Sequence, residues 1–140
     1  MTRAIPAAAR DLLEVQAGVL SRAQALRAGM TDKQIKAAWR SGRWQRLHTG
    51  VYAAFSGEPG RAAMLWAAVL RTGPVAVLSH HSAAELYGLV ATPAPAIHVM
   101  VPAGRQIAPV RGVIVHYSSL VARARHPVLL PPRTRVEETV

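Results

Sequence analysis

Apolar residues recur at helical spacing from Ala7 to Ala17, where Leu12, Leu13 and Gln16 share one face, Pro6 suits a first helical position and Gly18 suits a stop. Val19 and Leu20 leave room for a very short strand. Polar spacing then marks two more helix starts, with Ser21 and Gln24 as S-x-x-Q and Thr31 and Gln34 as T-x-x-Q. Each pair can close a capping box, in which hydroxyl and amide satisfy backbone donors left orphaned by the first turn. Gly29 falls where the earlier of these helices must end, because a left-handed residue there costs glycine no Cβ clash. The joint is a sharp helix-helix corner. On the second helix Ile35, Ala38, Trp39 and Gly42 share one side, while Lys33, Lys36, Ala37 and Arg40 share the other. Ala25, Gly29, Ile35 and Ala38 let the two axes pack closely.

Gly42 to Leu47 and Val51 to Ala54 flank His48-Thr49-Gly50, a Gly-containing loop of hairpin length. Support helix, short strand, helix corner and basic hairpin together have the layout of a winged helix-turn-helix, with the strand at Val19 and Leu20 pairing onto the wing. Alternation in the hairpin is imperfect, since Trp44 and Arg46 share a parity, and the pattern leaves open which of them faces inward.

Phe55 to Gly60 is dense in turn formers and marks a boundary. Beyond it Arg61 to Arg71 is apolar nearly all round, which predicts a helix covered on most sides and closed by Gly73-Pro74. Val75 to Leu78 fits a strand covered on both faces. Ser82 and Glu85 repeat the capping-box spacing and predict a short helix ending at Gly88. Ile97 to Val101 and Val113 to Tyr117 read as an antiparallel pair. If Val101 lies opposite Val113, His98 lies opposite His116 on one face of the sheet. Val128-Leu129-Leu130 is a further strand candidate. Pro131-Pro132 predicts a helix from Arg133 that stops at Val140 after about two turns, short of the ~12 residues of a marginal isolated helix, as a fragment or frayed end would.

Composition sharpens this picture. Of 140 residues 51% are apolar, enough core for one medium domain or two small lobes. Lys and Arg number 17 against 7 Asp and Glu, and the formal charge of +10 suits a polyanionic partner. Residues 21 to 50 hold seven basic residues and one acid, so much of the excess lies on the helix corner and hairpin. A helix fits the B-DNA major groove. Lys33, Gln34, Lys36, Ala37 and Arg40 are therefore expected against the major groove, with Arg43, Arg46, His48 and Thr49 against backbone or minor groove. The competing readings are a solvated face, or a surface for an acidic protein partner anchored by Trp39, Trp44 and Arg40.

The chain has no cysteine, which excludes disulfides and thiolate zinc sites and fits a cytoplasmic protein. Its longest apolar run, Ala62 to Leu70, is far shorter than the ~20 residues of a membrane span. No signal peptide pattern follows Met1, and the charges do not form the single amphipathic stripe of a membrane-surface helix.

Enzyme chemistry finds few materials here. A restriction-type nuclease needs clustered carboxylates for a divalent cation, commonly with a lysine nearby. After Lys36 there is no lysine or aspartate, and only Glu58, Glu85, Glu137 and Glu138 are acidic. His80 and His81 are adjacent, so they rarely aim at one ion, and no carboxylate or thiol lies close in sequence to complete a shell with them. Ser79 or Ser82 beside His80 lacks an Asp to orient a nucleophile-base pair. No metal, cofactor, small-molecule substrate or catalytic residue is expected.

Gly18-Val19-Leu20-Ser21-Arg22 with Ala28-Gly29, then Gly42-Arg43-Trp44 and Gly50-Val51-Tyr52-Ala53, form the first part of a wider match. It continues through Leu65-Trp66-Ala67-Ala68, Val77-Leu78-Ser79-His80, Ser82-Ala83-Ala84, Gly88-Leu89, His98-Val99 with Val101-Pro102, and Val115-His116. In these residues the chain resembles the N-terminal part of actinobacterial AbiEi-family antitoxins of abortive-infection type IV toxin-antitoxin systems. The resemblance implies a winged-helix DNA-binding domain that represses its own operon at promoter repeats, with a cognate toxin (AbiEii-like) as a further partner. Many relatives with this region continue instead into a domain similar to very-short-patch-repair endonucleases, and the alternative reading is the DNA-targeting or protein-interaction part of such a longer protein.

The sequence thus predicts an α+β chain: a winged helix-turn-helix over residues 1–56, then a small α/β lobe over 60–140 with a mainly antiparallel sheet, incomplete at its C-terminus. Its expected role is a cytoplasmic, non-enzymatic DNA-binding regulator of transcription, an autorepressor and antitoxin.

Overall fold

The computed structural model describes residues 5–139 of an α+β chain. Two compact units divide at Ala67 and Ala68, inside the helix Arg61–Thr72, and each is described by itself.

The first unit opens with α1 (Ala7–Val15), for which Pro6 is the cap. Sequence spacing carries this helix to Ala17, but Ala17 and Gly18 both take positive φ (57° and 81°), and the Gly18 N–H closes back on the Leu13 carbonyl at 2.7 Å. The buried Gln16 side chain fixes this exit: its Nε2 donates to the Val19 carbonyl at 2.9 Å, and its amide exchanges hydrogen bonds with that of Gln24. β1 (Val19–Ser21) leads directly into α2 (Arg22–Arg27), and α3 (Asp32–Arg40) follows after the corner.

Both capping boxes form. Ser21 Oγ accepts from the Gln24 N–H at 3.1 Å while Gln24 Oε1 accepts from the Ser21 N–H at 3.0 Å. Thr31 and Gln34 repeat the exchange at 3.1 and 2.8 Å. Gly29 takes φ 105°, and the Met30 N–H reaches back to the Ala25 carbonyl at 3.0 Å, the pairing that closes a helix through a left-handed residue.

The wing is β2 (Gln45–His48) and β3 (Val51–Ala53). The sheet order is β1-β3-β2, antiparallel throughout, with Leu20 opposite Tyr52 and Arg46 opposite Tyr52 on the other side. The question left open by parity is resolved before the strand begins. Trp44 precedes β2, its N–H bonds the Ala38 carbonyl at 3.0 Å, and its ring is buried at 4% exposure, while Arg46 is exposed. A register shift between Arg46 and His48 further breaks the alternation. Ala9, Leu20, Ala25, Met30, Ile35, Ala38, Trp44 and Tyr52 make the core. Trp39, expected on the inward face of α3, is a correction: it stays 38% exposed, packing beside Tyr52 with one side open.

α4 (Arg61–Thr72) crosses the division, with the continuous run Leu65 to Val69 buried. The second unit then holds β4 (Val77–Leu78), α5 (His80–Leu86), β5 (Ile97–Pro102), β6 (Val113–Ser118), α6 (Val121–Ala124) and a 3-10 turn at Val136–Glu138. Its sheet has the order β4-β5-β6. Ile97, Val99 and Val101 alternate inward on β5, as their spacing predicts.

Four expectations in this unit are corrected. First, β5 and β6 pair in parallel, Ile97 with Val113 and Pro102 with Ser118, so the sheet is mixed rather than mainly antiparallel. The connection 103–112 is no hairpin. An extended chain of that length reaches roughly 33 Å, enough to run back along β5, and the Gly112 carbonyl accepts from the Ile97 N–H at the starting end. His98 accordingly stands opposite Ile114, and Met100 opposite His116. Second, the short helix begins at His80, not Ser82, because the buried Ser82 Oγ accepts from the His98 N–H at 2.9 Å instead of capping. Third, Val128 to Leu130 form no strand: the Val128 and Leu129 N–H groups both turn onto His126 Nδ1, leaving these side chains exposed. Fourth, no α-helix starts at Arg133. Leu78 donates to the Pro132 carbonyl at 2.8 Å and accepts from the Thr134 N–H at 2.9 Å, which holds the segment extended against β4. The 3-10 turn follows, and Val140 lies outside the described residues.

Candidate nucleic-acid interface

Capping at Thr31 decides which side of α3 is solvent-facing, because it starts the helix at Asp32 and the 3.6 period then buries Ile35 and Ala38. Lys33, Lys36, Ala37 and Arg40 are all exposed, and with Asp32 they line one shallow concavity. Gln34 stands partly buried, its Oε1 committed to the Thr31 N–H; its Nε2 is the end left to reach outward.

The wing meets the same helix. Arg46 sets its guanidinium 4.8 Å above the Trp39 ring, and Trp39 and Trp44 flank Tyr52 at 6.1 and 6.0 Å. A cation on an aromatic face is attracted by the ring quadrupole, so Arg46 is oriented beside α3. Arg43 and Thr49 are exposed in the turns at either end of β2, and His48 is half-buried on the strand.

Arg22, absent from the sequence-predicted set, completes the arrangement. Its N–H donates to the Gly50 carbonyl at 2.8 Å, tying the wing turn to the start of α2. Its Nη2 and Nε donate to Asp32 Oδ1 at 2.8 and 3.2 Å, and Lys36 Nζ lies 3.1 Å from Oδ2. The hydrogen bond from Arg22, then that from Lys36, holds the Asp32 carboxyl below the ordinary carboxylate range. A signal existed: Arg22 and Asp32 each follow a cap serine or threonine, so they occupy equivalent first positions on two helices meeting at a tight corner.

The histidines gather elsewhere. His98 Nδ1 and His116 Nε2 are 2.9 Å apart, and His80 stacks on His116 with ring centres 3.8 Å apart. Burial, then the charge of His80, pushes both His98 and His116 below the usual imidazole range. The rings stack rather than converge, and among the described residues no group of three His, Cys, Asp or Glu is arranged to hold a metal ion. His80 Nδ1 pairs with Ser79 Oγ at 2.9 Å, but Ser79 is fully buried, out of reach of a substrate. Among the described residues no helix is long and apolar enough to cross a membrane.

No curated protein matches the chain. A family model described as transcriptional regulator, AbiEi antitoxin, matches residues 8–54, the segment that runs from α1 through the corner to the end of the wing. Over those residues the chain carries a domain of the AbiEi antitoxin family of transcriptional regulators.

Proposed function

We propose that the chain is a DNA-binding repressor of its own promoter and the antitoxin component of a type IV toxin-antitoxin system, acting in the cytoplasm without catalysis. The DNA-binding part is residues 1–56, and residues 60–140 form a second lobe available to a cognate toxin. One observation carries the reading: the Lys33, Lys36 and Arg40 side of α3 is uncovered, and the wing presents Arg46 against the same helix. α3 enters the major groove with Lys33, Lys36, Ala37 and Arg40, Gln34 contributing its free amide nitrogen. Arg43, Arg46, His48 and Thr49 follow the adjacent backbone or minor groove, and repeated promoter sites match a protein docking one domain per repeat.

Phosphate contacts release counterions, so the affinity has a salt slope set by their number. With about five such contacts, log K against log salt falls with a slope of roughly −4 to −5. Gel shifts with the region upstream of the gene, repeated over a salt series, check this. Replacing Lys36 and Arg40 together by alanine flattens the slope by about two and abolishes the shift at physiological salt. Retained promoter binding by that double variant, with loss of a protein partner instead, assigns the basic face to an acidic protein.

A further inference from the structure

Asp32 is the one acid among residues 21–50, and it lies on the uncovered face of α3 beside Lys33, Lys36, Ala37 and Arg40. Phosphates within a Debye length, about 8–10 Å, repel a carboxylate so placed. Two cations compensate it. Arg22 reaches Oδ1 through two nitrogens at 2.8 and 3.2 Å, and Lys36 reaches Oδ2 at 3.1 Å, so the trio carries a net charge of +1. These partners also keep the carboxyl ionised, and an ionised carboxylate only accepts hydrogen bonds.

Three donors occupy three of the roughly four lone-pair positions of the carboxylate, which leaves one for a base. Asp32 is the first residue of α3, and the N-terminal residues of a recognition helix are those that meet base edges. In the major groove, guanine and the thymine oxygen offer only acceptors, adenine sets an acceptor beside its amino group, and cytosine offers the N4 amino group alone. A fixed acceptor on this helix end is therefore matched by cytosine.

We infer that Asp32 is a specificity-determining residue, accepting from the N4 amino group of a cytosine in the major groove while Arg22 and Lys36 hold its carboxylate in place. The inference rests on the DNA-binding reading above. It separates the roles of the face: the lysines and arginines supply affinity regardless of sequence, and Asp32 supplies discrimination at a cost in affinity.

Selection from a library of synthetic duplexes with a randomised core tests it, using the full chain, Asp32→Ala and Asp32→Asn. The wild-type chain enriches a duplex with a C·G pair whose exchange for T·A weakens binding about tenfold. Asp32→Ala loses that discrimination, binds unrelated duplexes several-fold more tightly, and steepens the salt slope by about one because a repelling charge is gone. Asp32→Asn fills the same volume and moves the preference from cytosine to adenine, the base an amide matches with donor and acceptor together. The same enriched sequence and the same discrimination in all three proteins overturn the inference, as does uniform weakening across every duplex, which marks Asp32 as a tether only. Loss of binding in the Lys36 and Arg40 double variant alongside either result leaves the DNA-binding reading standing. A wild-type chain that binds no duplex overturns that reading and the inference with it.

Discussion

Gly18 meets two demands at once. It takes φ 81° one residue after Ala17 at 57°, and a Cβ built on it would lie 2.8 Å from Cδ2 of Phe55. Replacement by alanine thus adds left-handed strain to a collision with a packed ring. Gly18→Ala is expected to cost roughly 2 kcal/mol of stability, read as a fall in the urea midpoint at unchanged m-value; an unchanged midpoint would mean the α1 exit relaxes freely. Single residues were legible from the sequence where one backbone requirement names one residue type, as at Gly18 and Gly29. They were illegible where a choice rested on a tertiary bond. Trp44 turns inward as its N–H meets the Ala38 carbonyl, and Trp39, on α3, takes the Arg46 guanidinium of β2 against its ring instead of entering the core.

At the scale of elements, the two helices of the corner owe their placement to bonds that span three residues. Thr31→Ala removes the acceptor for the Gln34 N–H and leaves only the reciprocal bond, from the backbone N–H of residue 31 to Gln34 Oε1. The expected loss is about 1 kcal/mol, together with weaker DNA binding as the first turn of α3, which carries Asp32 and Lys33, frays. Hydrogen exchange of the α3 amides checks it: protection equal to wild type would show that tertiary packing alone holds the turn. Such local bonds explain why α2, α3, the corner and the wing could be placed from spacing. The same T-x-x-Q logic failed at Ser82 and Glu85 because the Ser82 hydroxyl serves the His98 N–H, 16 positions away in sequence. The helix expected from Arg133, which rested on Pro131-Pro132 as an opening, does not form for a similar reason: Leu78 captures the backbone on both sides of Arg133. The parallel pairing of β5 with β6 was hidden for the same reason: alternation fixes which side chains face inward, while direction depends on the path of the connection 103–112. On the candidate interface, the exposed cations of α3 were legible from the helical period, but Arg22 was not, because its role comes from the wing turn and from Asp32 rather than from its own helix.

Across the whole molecule the two units carry different acid-sensitive groups, and this separates their responses to pH. In the second unit His98 and His116 are held below the ordinary imidazole value of 6.5, by burial first and by the charge of His80 next, with His81 adding to the effect on His98. Neutral rings are favoured in the fold, whereas the unfolded chain binds protons at the ordinary value. Stability from these groups is therefore fully present above about pH 6.5 and is lost as pH falls through the lowered folded-state range. In the first unit Asp32 is held below its ordinary 3.8 by Arg22 and Lys36, so its contribution persists until the pH falls under that value. Mild acid should accordingly loosen β5 and β6 while α2 and α3 stay ordered. Hydrogen exchange followed by NMR from about pH 7.5 to 5 reads the two units separately, with amides of Ile97–Pro102 and Val113–Ser118 losing protection before those of Asp32–Arg40. His116→Phe keeps an aromatic ring against His80 and removes one titrating group, so the protection of β5 and β6 should vary less with pH. Simultaneous loss of protection in both units, or flat protection of β5 and β6 over that range, would contradict the assignment of this acid response to the stacked imidazoles.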